Sequence, residues 1–452
     1  MRSRGKHIAL IVLPLFYASA ARSANDSALK SGCGRFVTLE AAMSETILLH
    51  FSGPDHAGLT TELTGILADY GACVLDIGQA VVHETLALGL LIELPSGNGF
   101  APLQRALMDK AQALGLQVRF THITREALDH WLSLQGKDRF LVTILGRAIS
   151  AGALSRAGAT IAAHGLNIDR IQRLSGRLSL AVHTENANAC VEMRASGAVR
   201  DEDAMRAEFV ALAQEMPIDI AFQRESLFRR NRRLFAFDMD STLIQGEVID
   251  ELAKMAGVAD QVVRITESAM RGEIEFQESF RRRVALLKGL PEARVCDLIG
   301  RIPLAEGAER LIGTLKTLGY KTAILSGGFT FFARHLQERF GIDYVHANEL
   351  EFADGVVTGA VSGAIVDGAR KAALLREIAE QERISLEQVI AVGDGANDLP
   401  MLNLAGMGIA FRAKPLVRQS AEHSLSQLGL DGLLYLIGVR DRDLTADTLK
   451  ER

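Results

Sequence analysis

Residues 234–244 read Leu234-Phe-Ala-Phe-Asp238-Met-Asp240-Ser-Thr242-Leu-Ile, an apolar run followed by two carboxylates one residue apart. Four β-prone residues before Asp-x-Asp predict a buried strand that ends in a polar loop. At the carboxyl end of a central parallel strand, such a loop opens into the crevice where α/β sheets bind ligands. Two buried carboxylates need a positive partner, and oxygen ligands favour Mg²⁺ over zinc. For Asp-x-Asp alone, an acidic turn is the commoner explanation, so other segments must decide.

The composition is that of a globular protein without a nucleic-acid partner. The chain has 452 residues, which predicts two to four domains, and 48% hydrophobic with 23% charged residues is ordinary for packed domains. The net charge is −5, and no basic patch contains interleaved aromatic residues. We interpret the short arginine cluster within 229–233 as a solvated linker before a strand.

The cysteines and the N-terminus give different indications about the compartment. The cysteines, none in a CxxC pair, predict reduced thiols of a cytoplasmic protein rather than a disulfide frame or a zinc site; they are Cys33, Cys73, Cys190 and Cys296. By contrast, a basic start, an apolar run over 8–17 and Ala18-Ser-Ala20 resemble a secretory signal. We interpret Met43 as the true start and residues 1–42 as an upstream extension, and a signal is the alternative. No run is long enough for a membrane anchor, so we expect no membrane partner.

An internal repeat occupies the N-terminal half. Residues 44–122 predict the order strand, helix, strand, strand, helix, strand, and the same order recurs over 137–222. A helix that bears Trp131 separates the two copies. A repeat of about 80 residues predicts two similar small α+β modules.

From residue 233 to about 440 the pattern changes to alternating strands and helices, which predicts an α/β domain with a doubly wound parallel sheet. Glu247–Gly257 and Val258–Leu287 are predicted helical, as a cap inserted after the first strand over about 247–303. The polar tail from Arg440 is predicted to be frayed.

Three further segments support a site beside Asp-x-Asp. Ile324-Leu-Ser326-Gly327-Gly ends an apolar strand in a hydroxyl and two glycines, whose N–H groups can approach an anion closely. Lys371 lies at the start of an amphipathic helix, where most lysines are solvated. The segment 389–398 ends in Gly393-Asp394-Gly-Ala-Asn397-Asp398, which delivers a third carboxylate into a glycine-rich loop. Each has an ordinary structural explanation alone, but their common order does not.

In this order the segments resemble the haloacid dehalogenase superfamily, and more narrowly the phosphoserine phosphatase family. The first motif has Glu247 nine residues after Asp238, as in that family, and residues 265–287 resemble its cap. The two repeated modules resemble ACT domains, which often bind amino acids at the first strand–helix turn. That turn contains Asp55 and His56 in the first copy and Arg147 in the second, which lacks the aspartate.

The resemblance implies a Mg²⁺-dependent hydrolysis of O-phospho-L-serine to L-serine and phosphate through an aspartyl-phosphate, the last step of serine synthesis. It implies Asp238 as nucleophile and Asp240 as acid and base, and it implies metal ligation by Asp238, Asp394 and the backbone carbonyl of Asp240. The residues implied to bind phosphate are Ser326, Gly327, Lys371 and Asn397. Glu247 would bind the ammonium of serine and Arg283 its carboxylate, while Met270 and Phe276 would form an apolar wall.

Three alternatives stay open. One is a phosphatase for another small phosphomonoester such as phosphohomoserine. Another is phosphoryl transfer to another alcohol, which would use the same intermediate. The third is an amino-acid-sensing regulator whose hydrolase half has lost activity, against which the intact carboxylates and Lys371 argue. The ACT-like modules further suggest an amino-acid effector and a homodimer formed through them, although dimerisation without sensing is equally compatible.

Overall fold

The computed structural model describes residues 44–95, 99–133, 136–177 and 187–444. The expectations for residues 1–43, for Cys33 and for the end of the tail lie outside these ranges. The chain divides into two compact units, residues 1–135 and 136–452. The second repeated module therefore shares a unit with the α/β region.

The first module is an antiparallel four-stranded sheet with two helices. Its elements are β1 (Glu45–Pro54), α1 (Leu59–Asp69), β2 (Cys73–Val82), β3 (Thr85–Leu94), α2 (Phe100–Ala113) and β4 (Gln117–Ile123). The strand order is β2-β3-β1-β4. Alternate residues of β1 and every fourth residue of α1 are buried, so the two periodicities meet in one core. β1 continues through Gly53–Pro54, because these residues still pair with β3.

After α3 (Arg125–Ser133), the second module repeats this plan. It contains β5 (Arg139–Gly146), α4 (Ala151–Ala163), β6 (Leu166–Arg173), β7 (Ala189–Gly197), α5 (Glu202–Glu215) and β8 (Ile218–Arg224). The strand order β6-β7-β5-β8 matches that of the first module position by position. The predicted internal repeat is confirmed.

The α/β region is built on a seven-stranded sheet with the order β12-β11-β10-β9-β13-β14-β15. All neighbours pair in parallel except β11 and β12, which form an antiparallel hairpin at one edge. Its strands are β9 (Leu234–Phe237), β10 (Lys321–Phe329), β11 (Tyr344–Ala353), β12 (Val356–Ser362), β13 (Val389–Gly393), β14 (Met407–Phe411) and β15 (His423–Leu425). Every residue of β9 and β13 is buried, as expected for central parallel strands covered by helices.

Helices cover this sheet and form the cap. They are α6 (Val248–Ala256), α7 (Ala259–Met270), α8 (Phe276–Ala285), α9 (Glu292–Cys296), α10 (Ala308–Thr317), α11 (Thr330–Phe340), α12 (Gly368–Gln381), α13 (Leu399–Leu404), α14 (Pro415–Ser420) and α15 (Leu433–Leu436). No helix in the described part of the chain is long and apolar enough to cross a membrane.

The prediction of one continuous helix over Val258–Leu287 is wrong. The chain leaves the helix after Met270 and re-enters one at Phe276. Gly272 adopts φ +73°, a left-handed conformation that ends α7 at little steric cost. The cap therefore turns over the site at 271–275.

The arginine cluster is also not a solvated linker. Arg229 is buried and pairs with Glu192 of β7, while its Nε donates to the carbonyl of Leu436 at 3.3 Å. Arg232 is buried as well and donates to the carbonyl of Glu387. Arg229 thus joins the second module to the C-terminal part of the α/β region, and Arg232 joins the linker to the segment before β13, because a buried guanidinium requires acceptors.

The start of the tail is anchored rather than frayed. Both carboxylate oxygens of Asp441 accept from the Tyr435 hydroxyl, at 3.0 and 2.9 Å. Arg310 and the Gly176 N–H also donate to Asp441, at 2.9 and 2.6 Å. The three described cysteines, Cys73, Cys190 and Cys296, are free thiols.

Candidate active site

The site forms where three neighbouring parallel strands end. β9 lies between β10 and β13, so the segments that follow their carboxyl ends meet at one edge of the sheet. Asp238 follows β9, Asp394 follows β13, and Ser326 lies near the end of β10. The N–H of Asp238 still donates to the carbonyl of Val392 at 2.9 Å, which fixes the first carboxylate against the neighbouring strand.

The Asp-x-Asp loop holds both carboxylates by backbone donors. Oδ1 of Asp238 accepts from the Met239 N–H at 2.8 Å, and Oδ1 of Asp240 accepts from the Val248 N–H at 3.1 Å. Both side chains are buried. Burial, with the charges of Glu247 and Asp238, raises the pKa of Asp240 well above its usual value. Asp240 is thus a carboxyl that retains its proton more readily than an ordinary aspartic acid.

Lys371 lies beneath the site and neutralises part of this charge. Its ammonium is fully buried, 2.8 Å from Oδ1 of Asp238 and 2.6 Å from Oδ1 of Asp398. Burial alone would lower the pKa of Lys371, but the two carboxylates outweigh it and raise the pKa above its ordinary value. Lys371 therefore remains a fixed cation in the site.

Three carboxylates form a group that could hold a divalent cation. Oxygens of Asp238, Asp394 and Asp398 lie within 4.8 Å of one another. Burial, followed by the charges of the other two, raises the pKa of Asp394 to about 8. Such crowding of buried carboxylates is relieved by a bound cation, and an all-oxygen donor set fits Mg²⁺. The residues present therefore fit the expected metal.

Asp398 is a functional residue that the sequence analysis did not single out. Its Oδ2 accepts the N–H groups of Asp394 and Gly395 at 3.1 and 2.9 Å, while its Oδ1 binds Lys371. It thereby shapes the loop that presents Asp394. No local signal in the sequence marks this role, because only the fold shows that Lys371 is buried and needs a second counter-charge.

The Ser-Gly-Gly segment near the end of β10 is held by a buried amide. Asn348 donates to the carbonyl of Gly327 at 2.8 Å and accepts from the Val366 N–H at 2.8 Å. Oγ of Ser326 accepts from the Gly328 N–H at 2.9 Å, so its own proton is available for an anion. A Cβ on Gly328 would collide with the Asp240 carboxylate, which explains why glycine is required there.

Glu247 and Arg283 face the site from the cap side. Ser241, which adopts φ +57°, donates from Oγ to Glu247 at 3.0 Å. Burial, with the charge of Asp238, raises the pKa of Glu247. The Nε of Arg283 is buried without a hydrogen-bond partner in the described structure, and burial lowers the pKa of this guanidinium. Arg283 is thus positioned to receive an anionic group.

A cavity of about 690 Å³ brings these groups together. The predicted site residues that line it are Asp238, Asp240, Glu247, Arg283, Ser326, Gly327, Asp394 and Asn397. Lys371 does not line the cavity, but its ammonium contacts Asp238, which does. Met270 and Phe276, expected as an apolar wall, also line it, and so does Lys414, which the sequence analysis did not consider.

Comparison with protein families gives three matches. The family described as haloacid dehalogenase-like hydrolase matches residues 235–403. ACT domain families match residues 45–121 and 139–223. These matches cover both modules and most of the site.

Individual relatives match nearly the whole chain. A phosphoserine phosphatase of Streptomyces coelicolor is 40% identical over 407 residues, which cover 90% of this chain and 95% of that protein. Phosphoserine phosphatase SerB2 of Mycobacterium tuberculosis is 39% identical over 403 residues, covering 89% and 95%. The unliganded crystal structure of a probable phosphoserine phosphatase from Vibrio cholerae is 30% identical, with a TM-score of 0.52 over 68% of this chain and 89% of that one.

Proposed function

This chain belongs to the phosphoserine phosphatase family of haloacid dehalogenase-like hydrolases, and we propose that the residues described above carry out that family's reaction in it. It is a phosphatase that hydrolyses O-phospho-L-serine to L-serine and phosphate. The observation that carries the residue assignment is the buried group of Asp238, Lys371 and Asp398 at the base of the cavity.

Asp238 is the proposed nucleophile. Its Oδ1 is held by Lys371 and by the Met239 N–H, which leaves Oδ2 to attack phosphorus. The attack forms an aspartyl-phosphate and releases the serine oxygen, and water then hydrolyses the acyl phosphate. Splitting the reaction in this way replaces one difficult displacement by two easier ones.

Asp240 is the proposed acid and base. Its Oδ1 accepts from the backbone, so its proton is held on Oδ2, which lies close to Gly328. Its raised pKa makes it a competent acid at neutral pH, unlike an ordinary aspartic acid. Asp240 protonates the leaving serine oxygen and, once ionised, takes a proton from the attacking water.

Mg²⁺ would be held by Asp238, Asp394 and the backbone carbonyl of Asp240. When bound, it would neutralise charge on the phosphoryl oxygens. The side-chain oxygens of Asp238 and Asp394 that support this assignment belong to one group of closely spaced carboxylates.

The phosphate is bound by groups from three segments, namely the end of β10, the first turn of α12 and the turn after β13. Ser326, the Gly327 N–H, Lys371 and Asn397 are the proposed donors to its oxygens. Asn348 holds the Gly327 peptide, so these donors are fixed before the substrate arrives. Fixed donors stabilise developing charge without having to reorganise.

Glu247 and Arg283 are the proposed specificity residues. Arg283 has an unpaired buried Nε and takes the substrate carboxylate, while Glu247 takes the ammonium. Together they distinguish phosphoserine from phosphomonoesters that lack either group.

The first module is the proposed site of an amino-acid effector and of homodimer formation. Asp55 and His56 are exposed in the turn before α1, where a helix N-terminus is available to a carboxylate. β2 is an edge strand of its sheet and exposes apolar side chains, among them Ile77 and Val82. Calorimetric titration of the full chain with L-serine tests the effector, and light scattering tests the dimer.

The remaining parts of the proposal concern location and domain bounds. A cytoplasmic location is supported by the free thiols of the described cysteines, which suit a reducing compartment. We propose domains at 44–122, 137–222 and 233–440, with the cap at about 247–303.

Phosphate release from L-phosphoserine with and without Mg²⁺, beside phosphothreonine and phosphohomoserine, tests the function. Metal-dependent turnover that strongly favours phosphoserine supports the mechanism and both specificity residues. Turnover without that preference would retain the mechanism and remove the assignment of Glu247 and Arg283. Absence of turnover with every phosphate would favour the sensor alternative.

A further inference from the structure

The strand–helix turn of the second module is joined to the α/β region by an ion pair. Arg147 lies between β5 and α4, and its Nη2 contacts Oε1 of Glu306. Glu306 lies two residues before the start of α10. The Nη1 of Arg147 donates to Oδ1 of Asn188 at 3.1 Å. Both residues of the ion pair belong to the same compact unit.

Glu306 binds a second arginine with its other oxygen. Oε2 of Glu306 lies 2.5 Å from Nη2 of Arg412. The backbone carbonyl of Glu306 accepts from the Leu430 N–H at 2.7 Å, so the glutamate is itself held in place. One carboxylate therefore joins Arg147 of the second module to Arg412 of the α/β region.

Arg412 is under backbone strain that its contacts must offset. It follows β14 with φ +46°, a left-handed conformation that residues other than glycine rarely adopt. The backbone N–H of Arg412 donates to the carbonyl of Leu425 at 2.8 Å, and its side-chain Nη2 donates to the carbonyl of Leu428 at 3.3 Å. Because this conformation sets the direction in which the chain leaves β14, the contacts of Arg412 determine the path of the next residues.

Those next residues form a wall of the active-site cavity. Lys414, Leu416 and Val417 line it. The ammonium of Lys414 lies 3.5 Å from Sδ of Met270, at the end of α7 in the cap. Segment 412–417, which connects β14 to α14 and includes the first turn of α14, therefore contacts the cap.

We propose that Arg147, acting through Glu306 and Arg412, positions segment 412–417 and thereby the wall of the active-site cavity. Arg147 is a positioning residue in this account, because it touches neither substrate nor reacting atoms. The second module then contributes to the shape of the active-site cavity. Its strand–helix turn makes this contribution through the ion pair between Arg147 and Glu306. The kinetic consequence rests on the proposed function, whereas the structural consequence does not.

The test replaces Arg147 by Met in the full chain, with Arg156→Met as the matched control. Arg156 belongs to the same module and pairs with Glu215 at 2.6 Å on an exposed surface. In the described part of the chain, this pair makes no ion pair with Glu306 or Arg412, which hold segment 412–417. Amide hydrogen exchange of the peptide that spans 411–417 is the first readout, and KM and kcat for phosphoserine are the second. Thermal unfolding of each variant confirms that it folds.

For Arg147→Met we expect exchange of the 411–417 peptide to accelerate and KM to rise about threefold to tenfold, with a smaller change in kcat. Arg147→Lys should restore much of both. Glu306→Gln, which acts on the same route from the other side, should give the same shifts, and its combination with Arg147→Met should add little.

Exchange and KM that match those of Arg156→Met would overturn the proposal, as would additive effects of Arg147→Met and Glu306→Gln. A wild-type chain that fails to hydrolyse phosphoserine would refute the proposed function instead, because the exchange readout does not depend on turnover.

Discussion

The ammonium of Lys371 lies 2.6 Å from Oδ1 of Asp398, and both side chains are fully buried. The same ammonium contacts Asp238, so two carboxylates share one buried cation. A buried charge is tolerated only when it is paired and hydrogen-bonded, and Asp398 satisfies this requirement for Lys371. The pair therefore supports both the fold and the orientation of Asp238.

Replacing Asp398 by Asn should destabilise the protein by about 3–5 kcal/mol, since removing one partner leaves the other charge under-compensated. Turnover should fall as well, because the Asn side chain cannot hold both Lys371 and the loop of Asp394 as the carboxylate does. Urea unfolding and kcat measure the two effects. Asp354→Asn, at an exposed turn with φ +52° that asparagine tolerates, is the control and should change neither.

Gly328→Ala should reduce kcat on the order of 10²-fold or more, because the added methyl group occupies the space of the Asp240 carboxylate. Gly313→Ala is the matched control. Gly313 lies in α10, where an added Cβ meets nothing within 4 Å. That control should stabilise the protein by about 0.5–1 kcal/mol and leave kcat unchanged. Equal kinetics of the two variants would contradict the close approach of Gly328 to Asp240.

Arg283→Met should remove the preference for phosphoserine over phosphoethanolamine, which lacks the carboxylate. We expect kcat/KM for phosphoserine to fall about 10²-fold and that for phosphoethanolamine to change little. Arg282→Met tests the neighbouring charge, since Arg282 is exposed and pairs with Glu278 at 2.7 Å. If Arg282→Met altered the preference as much as Arg283→Met, the assignment of the carboxylate to Arg283 would fail.

His423 should make the stability of the second unit depend on pH. Burial, followed by the charges of Arg206 and Arg232, lowers its pKa to about 3. Between pH 6.5 and 3 the unfolded chain therefore binds a proton that the folded chain does not. This contribution to stability is fully present above pH 6.5 and is lost as the pH falls, by up to about 1.4 kcal/mol per pH unit.

The difference in unfolding free energy between the wild type and His423→Gln, measured from pH 7 to pH 4, isolates this effect from that of other groups. The wild type should lose stability relative to the variant as the pH falls. A constant difference across that range would show that His423 does not titrate as described.

Much of the α/β fold and the gathering of the site could be predicted from the sequence, for local reasons. β9 and β13 are continuous apolar runs that end in carboxylates, so the strand and the ligand-bearing loop are encoded within about ten residues. Because parallel strands expose their carboxyl ends together, residues far apart in sequence could be expected to meet.

Features that depend on long-range partners were not predictable in this way. Arg229 and Lys371 look like solvated cations in sequence, and only the positions of Glu192 and Asp398 show why they are buried. The break in the cap at Gly272 has no hydrophobic signature, since polar residues surround it. The link between Arg147 and Glu306 joins residues far apart in the chain, and no local pattern marks such a pair.

The most direct test of the account is the release of phosphate from L-phosphoserine by the wild type and by Asp238→Asn, with Mg²⁺ present and circular dichroism to verify folding. The account predicts turnover by the wild type and its loss, by several orders of magnitude, in a variant that remains folded. Unchanged turnover in folded Asp238→Asn would contradict the central claim that Asp238 is the nucleophile.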